Sequence, residues 1–424
     1  MNRRNVMLLV LALASLAAAT YAASCHCGNP DAGVGAPGAK RSAPVSSPDP
    51  RALSEPRASA SGAGGPLAYS RHALTSSVTT DADFLTANRG YGIVEDTSVS
   101  AGNIRRTLGL PNFGLANVNP TVTGWQTTTP LPTARYGAAS VVNNGFLYSI
   151  GGNDGTNYLD EVKYARINAD GSIGAWANTI PFSSPREFAT AVAHNGYLYL
   201  LGGNDSTNSF NDVQFSKVNQ DGSLASWTTV SSFTNGRSLH QSVVHNENMY
   251  VIGGFGGSRF KDVQFAKIST DGTLGSWTPT TDLPDNLAGH ASFVFNGKLF
   301  VAGGWNNSTG QTLISLAPFK ANGSLGSWSP AGDLPTARLY HTCQVYNGFV
   351  YVAGGRDNSY QSLDDVQFAP ISLDGTVGGW TPSTNLPGKR EHHSSVIGGG
   401  FLYVVGGSST SGPITPVPTV LFAP

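Results

Sequence analysis

Residues 121–424 alternate between short apolar runs and clusters of turn-forming residues, a pattern typical of β-strands joined by tight turns. The clearest example is a run from His290 to Phe295, followed by Asn296-Gly297 and a second run from Lys298 to Ala302. An Asn-Gly pair between two such runs predicts a β-hairpin. A third strand, such as Val263 to Ala266, follows a polar loop, and an Asp-Gly turn joins it to a fourth. We label these four predicted antiparallel strands a, b, c and d.

The four-strand unit recurs six times with nearly constant spacing. Its tryptophans are separated by 51, 51, 50, 51 and 52 residues, and they are Trp125, Trp176, Trp227, Trp277, Trp328 and Trp380. A pair of glycines ends strand b in each unit, at Gly151-Gly152, Gly202-Gly203, Gly253-Gly254, Gly303-Gly304, Gly354-Gly355 and Gly406-Gly407. A period near 50 with apolar runs that end in Gly-Gly predicts a β-propeller.

The two ends of the repeat array complement each other. The array begins with a lone d-type strand, Val122 to Trp125, and ends with a c-type strand, Val420 to Pro424. The last blade therefore takes its d strand from the N-terminal side of the array. This arrangement predicts an all-β, six-bladed propeller of four-stranded blades whose ring is sealed by both ends, with no exposed sheet edge.

The repeats resemble those of kelch β-propellers, of the six-bladed kelch and galactose oxidase type, and the likeness to exported bacterial members is the most relevant here. This resemblance covers residues 121–424. It implies that strand a of each blade lies next to the central channel. Kelch motifs specify the fold far better than any activity, because propellers support binding, scaffolding and catalysis alike.

Composition narrows the list of partners. The formal net charge is −1 and charged residues make up 12% of the chain, so no basic field favours nucleic acid as a partner. The only cysteines are Cys25, Cys27 and Cys343, too few for a disulfide framework in an exported protein of this size. The sequence indicates no cofactor and no metal site, since neighbouring His392 and His393 are expected to point to opposite faces of a strand.

The N-terminal part of the chain predicts export. Residues 1–24 have the features of a signal peptide, residues 25–66 form a tether rich in Pro, Gly, Ala and Ser, and residues 67–120 stay unassigned. Either Cys25 is acylated, as in a bacterial lipoprotein, or the chain is cleaved after Ala22. The protein is thus expected in the cell envelope or secreted, with a lipid anchor as its sole attachment to a membrane.

An arginine stands sixteen residues before the glycine pair in five of the six repeats, at Arg135, Arg186, Arg237, Arg338 and Arg390. Four of these repeats carry an acid just before strand c, at Glu161, Asp212, Asp262 and Asp365. We predict that these arginines and acids pair beneath the loops. The fourth repeat has Leu287 and Leu313 instead, and so has neither partner.

Arg390 lacks the acid, because Thr419 takes its position. Arg390 either pairs with adjacent Glu391 or faces the channel and binds an anion. Three residues after the arginine position, four repeats have a histidine, of which His393 is the last. The pattern predicts guanidinium and imidazole groups at the channel mouth.

The b–c loops and d–a loops are expected on one face of the ring, which we call the loop face, and the tight turns on the other, the turn face. Tyr158, Arg259, Trp305 and Arg356 lie in the b–c loops beside many Asn, Ser and Thr. Aromatic faces next to hydroxyl and amide groups suit sugars or peptides. The competing interpretation is that these side chains are ordinary solvated loop residues.

Two functional hypotheses follow. The first is a non-enzymatic binding, adhesion or protein-interaction module outside the cytoplasm, which presents the loop face to a glycan or protein ligand. The second is a sugar-modifying enzyme, because exported kelch propellers include sialic acid mutarotases, and the Arg and His groups could hold an acidic sugar. No local motif matches that family's catalytic positions, so no catalytic residue is assigned. Cys343 on strand a is expected to be a buried small apolar residue.

Overall fold

The computed structural model describes residues 120–410 and 414–424. The predicted signal peptide, tether and Cys25 lie outside the described residues, as does the unassigned segment apart from its last residue. Residues 121–424, apart from 411–413, can therefore be compared with the predicted propeller.

The described part of the chain consists of short strands joined by turns and loops. Blade 1 contains β2 (Ala139–Asn143), β3 (Phe146–Ile150), β4 (Val162–Arg166) and β5 (Ala177–Thr179). Blade 2 contains β6 (Thr190–His194), β7 (Tyr197–Leu201), β8 (Val213–Lys217) and β9 (Thr228–Val230). Blade 3 contains β10 (Gln241–His245), β11 (Asn248–Ile252), β12 (Val263–Lys267) and β13 (Thr278–Pro279).

The second half of the ring repeats the same order. Blade 4 contains β14 (Ala291–Phe295), β15 (Lys298–Ala302), β16 (Leu313–Pro318) and β17 (Ser329–Asp333). Blade 5 contains β18 (Thr342–Tyr346), β19 (Phe349–Ala353), β20 (Val366–Pro370) and β21 (Thr381–Pro382). Blade 6 contains β22 (Ser394–Gly398), β23 (Phe401–Val405), β24 (Val420–Ala423) and, from the start of the array, β1 (Gln126–Thr127).

These strands form six four-stranded antiparallel sheets, which confirms the predicted six-bladed propeller. The first strand of each sheet contacts the first strand of the next, and β22 contacts β2, so the ring is closed around a central channel. The a–b and c–d turns share the turn face, and the longer b–c and d–a connections share the loop face, as expected from alternating strand direction. No helix that could cross a membrane occurs among residues 120–410 and 414–424.

Both ends of the array meet in blade 6. Strand β1 pairs with β24, Gln126 opposite Phe422 and Thr127 opposite Leu421. The predicted closing strand, Val122 to Trp125, is therefore displaced, because pairing begins only after the tryptophan. Val122 and Trp125 instead attach the segment to blade 5, where the Val122 amide donates to Ser383 and the Trp125 indole to the Thr384 carbonyl.

The core of the described residues is divided among six apolar clusters, one at each interface between adjacent blades. Strand b contributes most to them; all five residues of β3, for example, are buried. The six repeat tryptophans reinforce these interfaces, since each indole nitrogen donates to a backbone carbonyl of the preceding blade at 2.6–3.2 Å. The repeated tryptophan is therefore a blade-to-blade contact.

The glycine pairs are required by close approach of adjacent blades. Gly253 and Gly254 have φ values of 53° and 103°, a region that side-chain-bearing residues rarely adopt. A Cβ on Gly254 would lie 2.7 Å from the Cβ of His240 and 2.8 Å from the Ser238 carbonyl oxygen, and one on Gly253 would lie 2.8 Å from the Leu287 carbonyl oxygen of the next blade. The second glycine of each pair also donates its amide to the next blade, and Gly407 donates to Arg135 across the closure.

Candidate functional site

The predicted ion pairs beneath the loop face are present in the four blades that carry both partners. Arg186 binds Asp212, Arg237 binds Asp262 and Arg338 binds Asp365 at 2.6–2.9 Å, and Arg135 binds Glu161. These arginines are almost completely buried, so they support the loops and are not presented at the channel mouth. The prediction that pairing is structural is confirmed for these four.

Arg390 does not pair with Glu391, which was one of the two arrangements predicted for it. It is 5% exposed, and its Nη1 donates to the Gly406 carbonyl at 2.9 Å. The neighbouring carboxylate of Glu391 is bound instead by Arg356, whose Nε donates to it at 2.6 Å. Arg390 therefore lies beneath the loops without an ion-pair partner among the described residues, and a ligand-binding role for it stays a prediction.

The four repeated histidines are also buried, and they line the channel cavity: His240, His290, His341 and His393. His393 lies against Thr342, with 3.1 Å between its Nε2 and the Thr342 Oγ1. Burial lowers the pKa of His393 to about 3, so its imidazole is neutral near pH 7. The expectation that His392 and His393 lie on one strand is wrong, because both precede β22 and His392 has a φ of 53°.

The channel mouth is instead lined by a closed ring of backbone hydrogen bonds that the sequence did not predict. One residue from each blade, two positions after the arginine position, donates its amide to the carbonyl of its counterpart in the neighbouring blade at 2.8–3.3 Å. All six have φ values of 53–62°: Gly137, Phe188, Leu239, Gly289, Tyr340 and His392. In the sequence, only the two glycines among these six residues indicate a positive φ. The bulky residues at the other four positions give no such indication.

Aromatic side chains from this ring cover the mouth. The Tyr340 and His392 rings lie 4.0 Å apart, and Phe188 lies 5.1 Å from His392 between ring centroids. The glycines make room for them, since a Cβ on Gly137 would lie 2.8 Å from the Phe188 ring and one on Gly289 would lie 2.7 Å from Tyr340. Beneath them the a strands enclose a cavity of about 520 Å³. The loop face therefore offers a shallow aromatic surface above a deeper channel.

The richest cluster on the loop face combines one guanidinium with three aromatic rings, and we call it the Arg259 patch. It consists of Arg259, Phe255, Trp305 and Tyr360. The Arg259 guanidinium lies 6.0 Å from the Phe255 ring and 5.9 Å from the Trp305 ring, and Tyr360 lies 5.9 Å from Trp305. Phe255 and Tyr360 are 37% and 57% exposed. Arg259 makes no ion pair within the described part of the chain, and its buried Nε has no hydrogen-bond partner.

Of the loop residues predicted to bind ligand, the structure brings Arg259 and Trp305 together. Arg356 lies 5.9 Å from the Tyr340 ring, and its charge is compensated by Glu391. Tyr158 lies in the b–c loop of blade 1, where it forms a bridge with Asn153. Sequence reasoning missed Phe255 and Tyr360, which are ordinary apolar and aromatic loop residues until the fold places them beside Arg259 and Trp305.

Glu187, which the sequence did not single out, is the most perturbed carboxyl on this face. It is 7% exposed, and burial raises its pKa to about 6, although the neighbouring polar side chains of Tyr136, Asn153 and Asn204 oppose the increase. A carboxyl that titrates close to neutral pH can accept or donate a proton.

Within residues 120–410 and 414–424, no three His, Cys, Asp or Glu side chains are placed to hold a metal ion together. Cys343 is buried as expected, and burial raises the pKa of its thiol to about 12. This thiol is therefore a small apolar group near pH 7.

Comparisons with known proteins agree with the repeat analysis. A family model described as the KLHDC2/KLHL20/DRC7 Kelch-repeats domain matches residues 115–304. Two proteins of Limulus polyphemus also match: alpha-scruin is 28% identical over 98 residues, 23% of this chain and 10% of alpha-scruin, and beta-scruin is 31% identical over 109 residues, 25% of this chain and 12% of beta-scruin. The chain thus spans only about a tenth of these relatives.

The solved structure of YjhT matches with a TM-score of 0.57 and 18% sequence identity, and the match covers 69% of this chain and 96% of YjhT. A likeness at this identity concerns the fold alone.

Proposed function

Since the chain is a kelch-repeat β-propeller, a fold that generally mediates protein interactions, we propose that it is a binding module outside the cytoplasm whose loop face holds an acidic glycan or protein ligand. The observation that carries the proposal is the Arg259 patch, which combines an uncompensated guanidinium with exposed aromatic rings. No other described arginine of the loop face combines exposure with a missing carboxylate partner.

The chemistry of the patch explains the preference for an acidic ligand. A guanidinium held between Phe255 and Trp305 presents its free N–H groups to an incoming carboxylate, and a bidentate contact fixes its orientation. Trp305 and Tyr360 supply flat apolar area for a sugar ring or a peptide side chain. Because these rings sit on a rigid propeller, little conformational entropy is lost when a ligand binds.

The proposal is tested by comparing two arginine variants. An acidic ligand is first identified by glycan array or pull-down. Arg259→Ala should weaken the binding of this ligand by about 1–3 kcal/mol, the range for a charge-assisted hydrogen bond. Arg166→Ala is the matched control, because Arg166 also lies near an aromatic ring, 5.8 Å from Phe146, but at the end of β4 on the turn face. Equal affinity of both variants, measured by calorimetry, would exclude the patch as the site.

The proposed location rests on the N-terminal sequence. We propose export, with Cys25 as the lipid attachment residue and residues 25–66 as a tether that holds the propeller away from the membrane. Mass spectrometry of the mature protein tests this: a diacylated Cys25 supports the anchor, whereas an N-terminus at Ala23 contradicts it.

A second candidate function, a sugar-modifying enzyme similar to the sialic acid mutarotases, is favoured by Glu187. Its pKa near neutrality and its contact with Tyr136 provide a proton-transfer group at the loop face. An NMR assay of sialic acid anomerisation tests this candidate directly. Acceleration that is lost in Glu187→Gln would favour the enzyme, and a rate equal to that in buffer would exclude it.

A further inference from the structure

Five blades hold an arginine in the same structural position. In each, the guanidinium Nη1 donates to the carbonyl of the first glycine of the pair at 2.9–3.1 Å. This contact is made by Arg390 as well as by the four arginines that have an acid. Arg390 is therefore placed to receive a carboxylate in the same way as its counterparts.

The position of the missing acid is fixed by the backbone. The residue before strand c accepts a hydrogen bond from the first glycine, as Asp262 does from Gly253, and in blade 6 Thr419 accepts the same bond from Gly406. Blade 4 differs, because Leu287 and Leu313 replace arginine and acid together. Blade 6 therefore contains the arginine but not the acid that pairs with it in four other blades.

The charge of Arg390 is left without compensation. Its Nε has no hydrogen-bond partner, and among the described residues no carboxylate or other acceptor binds its Nη2. The corresponding Nη2 of Arg237 binds Asp262 at 2.9 Å. Burial without a counterion lowers the pKa of Arg390 to about 10, which reflects the cost of holding an unpaired charge away from water.

We infer that blade 6 binds a small carboxylate anion, of the size of formate or acetate, where the other blades place the acid that precedes strand c. The anion accepts hydrogen bonds from Arg390 Nη1 and Nη2, as the Asp365 carboxylate does from Arg338 at 2.9 Å for both nitrogens. Arg390 is 5% exposed and belongs to blade 6, whereas the Arg259 patch comes from the b–c loops of blades 3, 4 and 5, so the two sites are separate. It acts as a counterion site that stabilises the blade closing the ring.

The test is the thermal stability of the full chain in sodium formate and in sodium chloride at equal ionic strength, at pH 7. Formate should raise Tm above the chloride value by about 2 °C at several times its Kd, since a ligand that binds only the native state stabilises it by mass action. Thr419→Asp places a carboxylate in the site, and should raise Tm without formate and abolish the response to formate.

A second variant keeps the inference testable if Thr419→Asp does not fold. The double variant Arg390→Leu with Thr419→Leu reproduces the apolar pair that blade 4 contains naturally, Leu287 and Leu313, and should fold but lose the response to formate. Equal Tm in formate and chloride for the natural protein would overturn the inference, because Arg390 would then be merely hydrated. A formate response that persists in either variant would overturn it as well.

Discussion

At the scale of single residues, the buried arginines illustrate how much a charge depends on its counterion. Arg237 donates to both Asp262 oxygens at 2.9 Å, to the Gly253 carbonyl and to the Thr234 carbonyl, so nearly all of its N–H groups are used. Such a pair contributes little net stability compared with apolar residues, yet loss of the arginine leaves the Asp262 carboxylate half-buried and without its cation. This asymmetry determines the result of mutation.

We predict that Arg237→Ala destabilises the fold by about 2–4 kcal/mol, because Asp262 would keep its charge without its partner. Urea unfolding measures the change. Arg390→Ala is the matched control, since no carboxylate is orphaned by it, and it should cost clearly less. Equal losses in both variants would contradict the assignment of Arg237 as a paired structural residue.

The buried histidines predict a pH dependence. Burial lowers the pKa of His240, His290 and His393 to about 3, and that of His341 well below its usual range. The unfolded state binds more protons below about pH 6.5, so stability falls as the pH drops from about 7 to 5. Glu187, whose pKa is raised, acts in the opposite direction over part of this range, but one carboxyl is outweighed by these four imidazoles and by His392, whose pKa burial also lowers to about 3.

The measurement is the urea midpoint at pH 7.5 and at pH 5. The natural protein should be less stable at pH 5, and His290→Gln, which removes one of the titrating groups, should reduce the difference between the two pH values. A midpoint that does not change between pH 7.5 and 5 would contradict the assignment of these imidazoles as buried and neutral.

At the scale of elements, the glycine pair at the end of strand b connects its own blade to the next one. Gly254 donates to the Leu287 carbonyl of blade 4, and a Cβ added to it would lie 2.7 Å from the Cβ of His240 in blade 3. Gly254→Ala should therefore destabilise by more than about 2 kcal/mol, from an unfavourable φ of 103° and a clash with backbone. Thermal melting compares it with Gly297→Asn, where φ is 69° and no atom lies within 4 Å, so little loss is expected.

The strands and turns could be predicted from the sequence because they depend on residues within each repeat. The hairpin at Asn296-Gly297 follows from the residues that the turn itself contains, and the pairing of Arg237 with Asp262 followed from their joint occurrence and joint absence among repeats. The Arg259 patch could be predicted only in part, since Phe255 and Trp305 come from different blades. Their approach to Arg259 depends on how adjacent sheets pack, and no local pattern records it.

At the scale of the whole molecule, ring closure positions the site. The six-membered hydrogen-bonded ring at the mouth requires every blade, because each residue donates to one neighbour and accepts from the other. His392 of blade 6 accepts from Gly137 of blade 1, so this contact crosses the seam. The sequence showed that the ends of the array complement each other. The hydrogen-bonded ring at the mouth could not be predicted, because it requires a positive φ at bulky residues, which rarely adopt one.

Because β1 closes the ring, two truncations of the N-terminal side should differ in their effect on stability. Removing residues 1–112 leaves Val122, Trp125 and β1 in place, whereas removing residues 1–130 also deletes the pairing with β24 and the Thr129 carbonyl that accepts from Trp176. The longer truncation exposes the outer edge of β24 and weakens the interfaces of blade 6 with both neighbours. It should lower Tm by more than 10 °C or abolish soluble expression, on the order of several kcal/mol in a domain of this size. The shorter truncation should melt close to the full chain; equal Tm values for the two truncated chains would refute closure by the N-terminal strand.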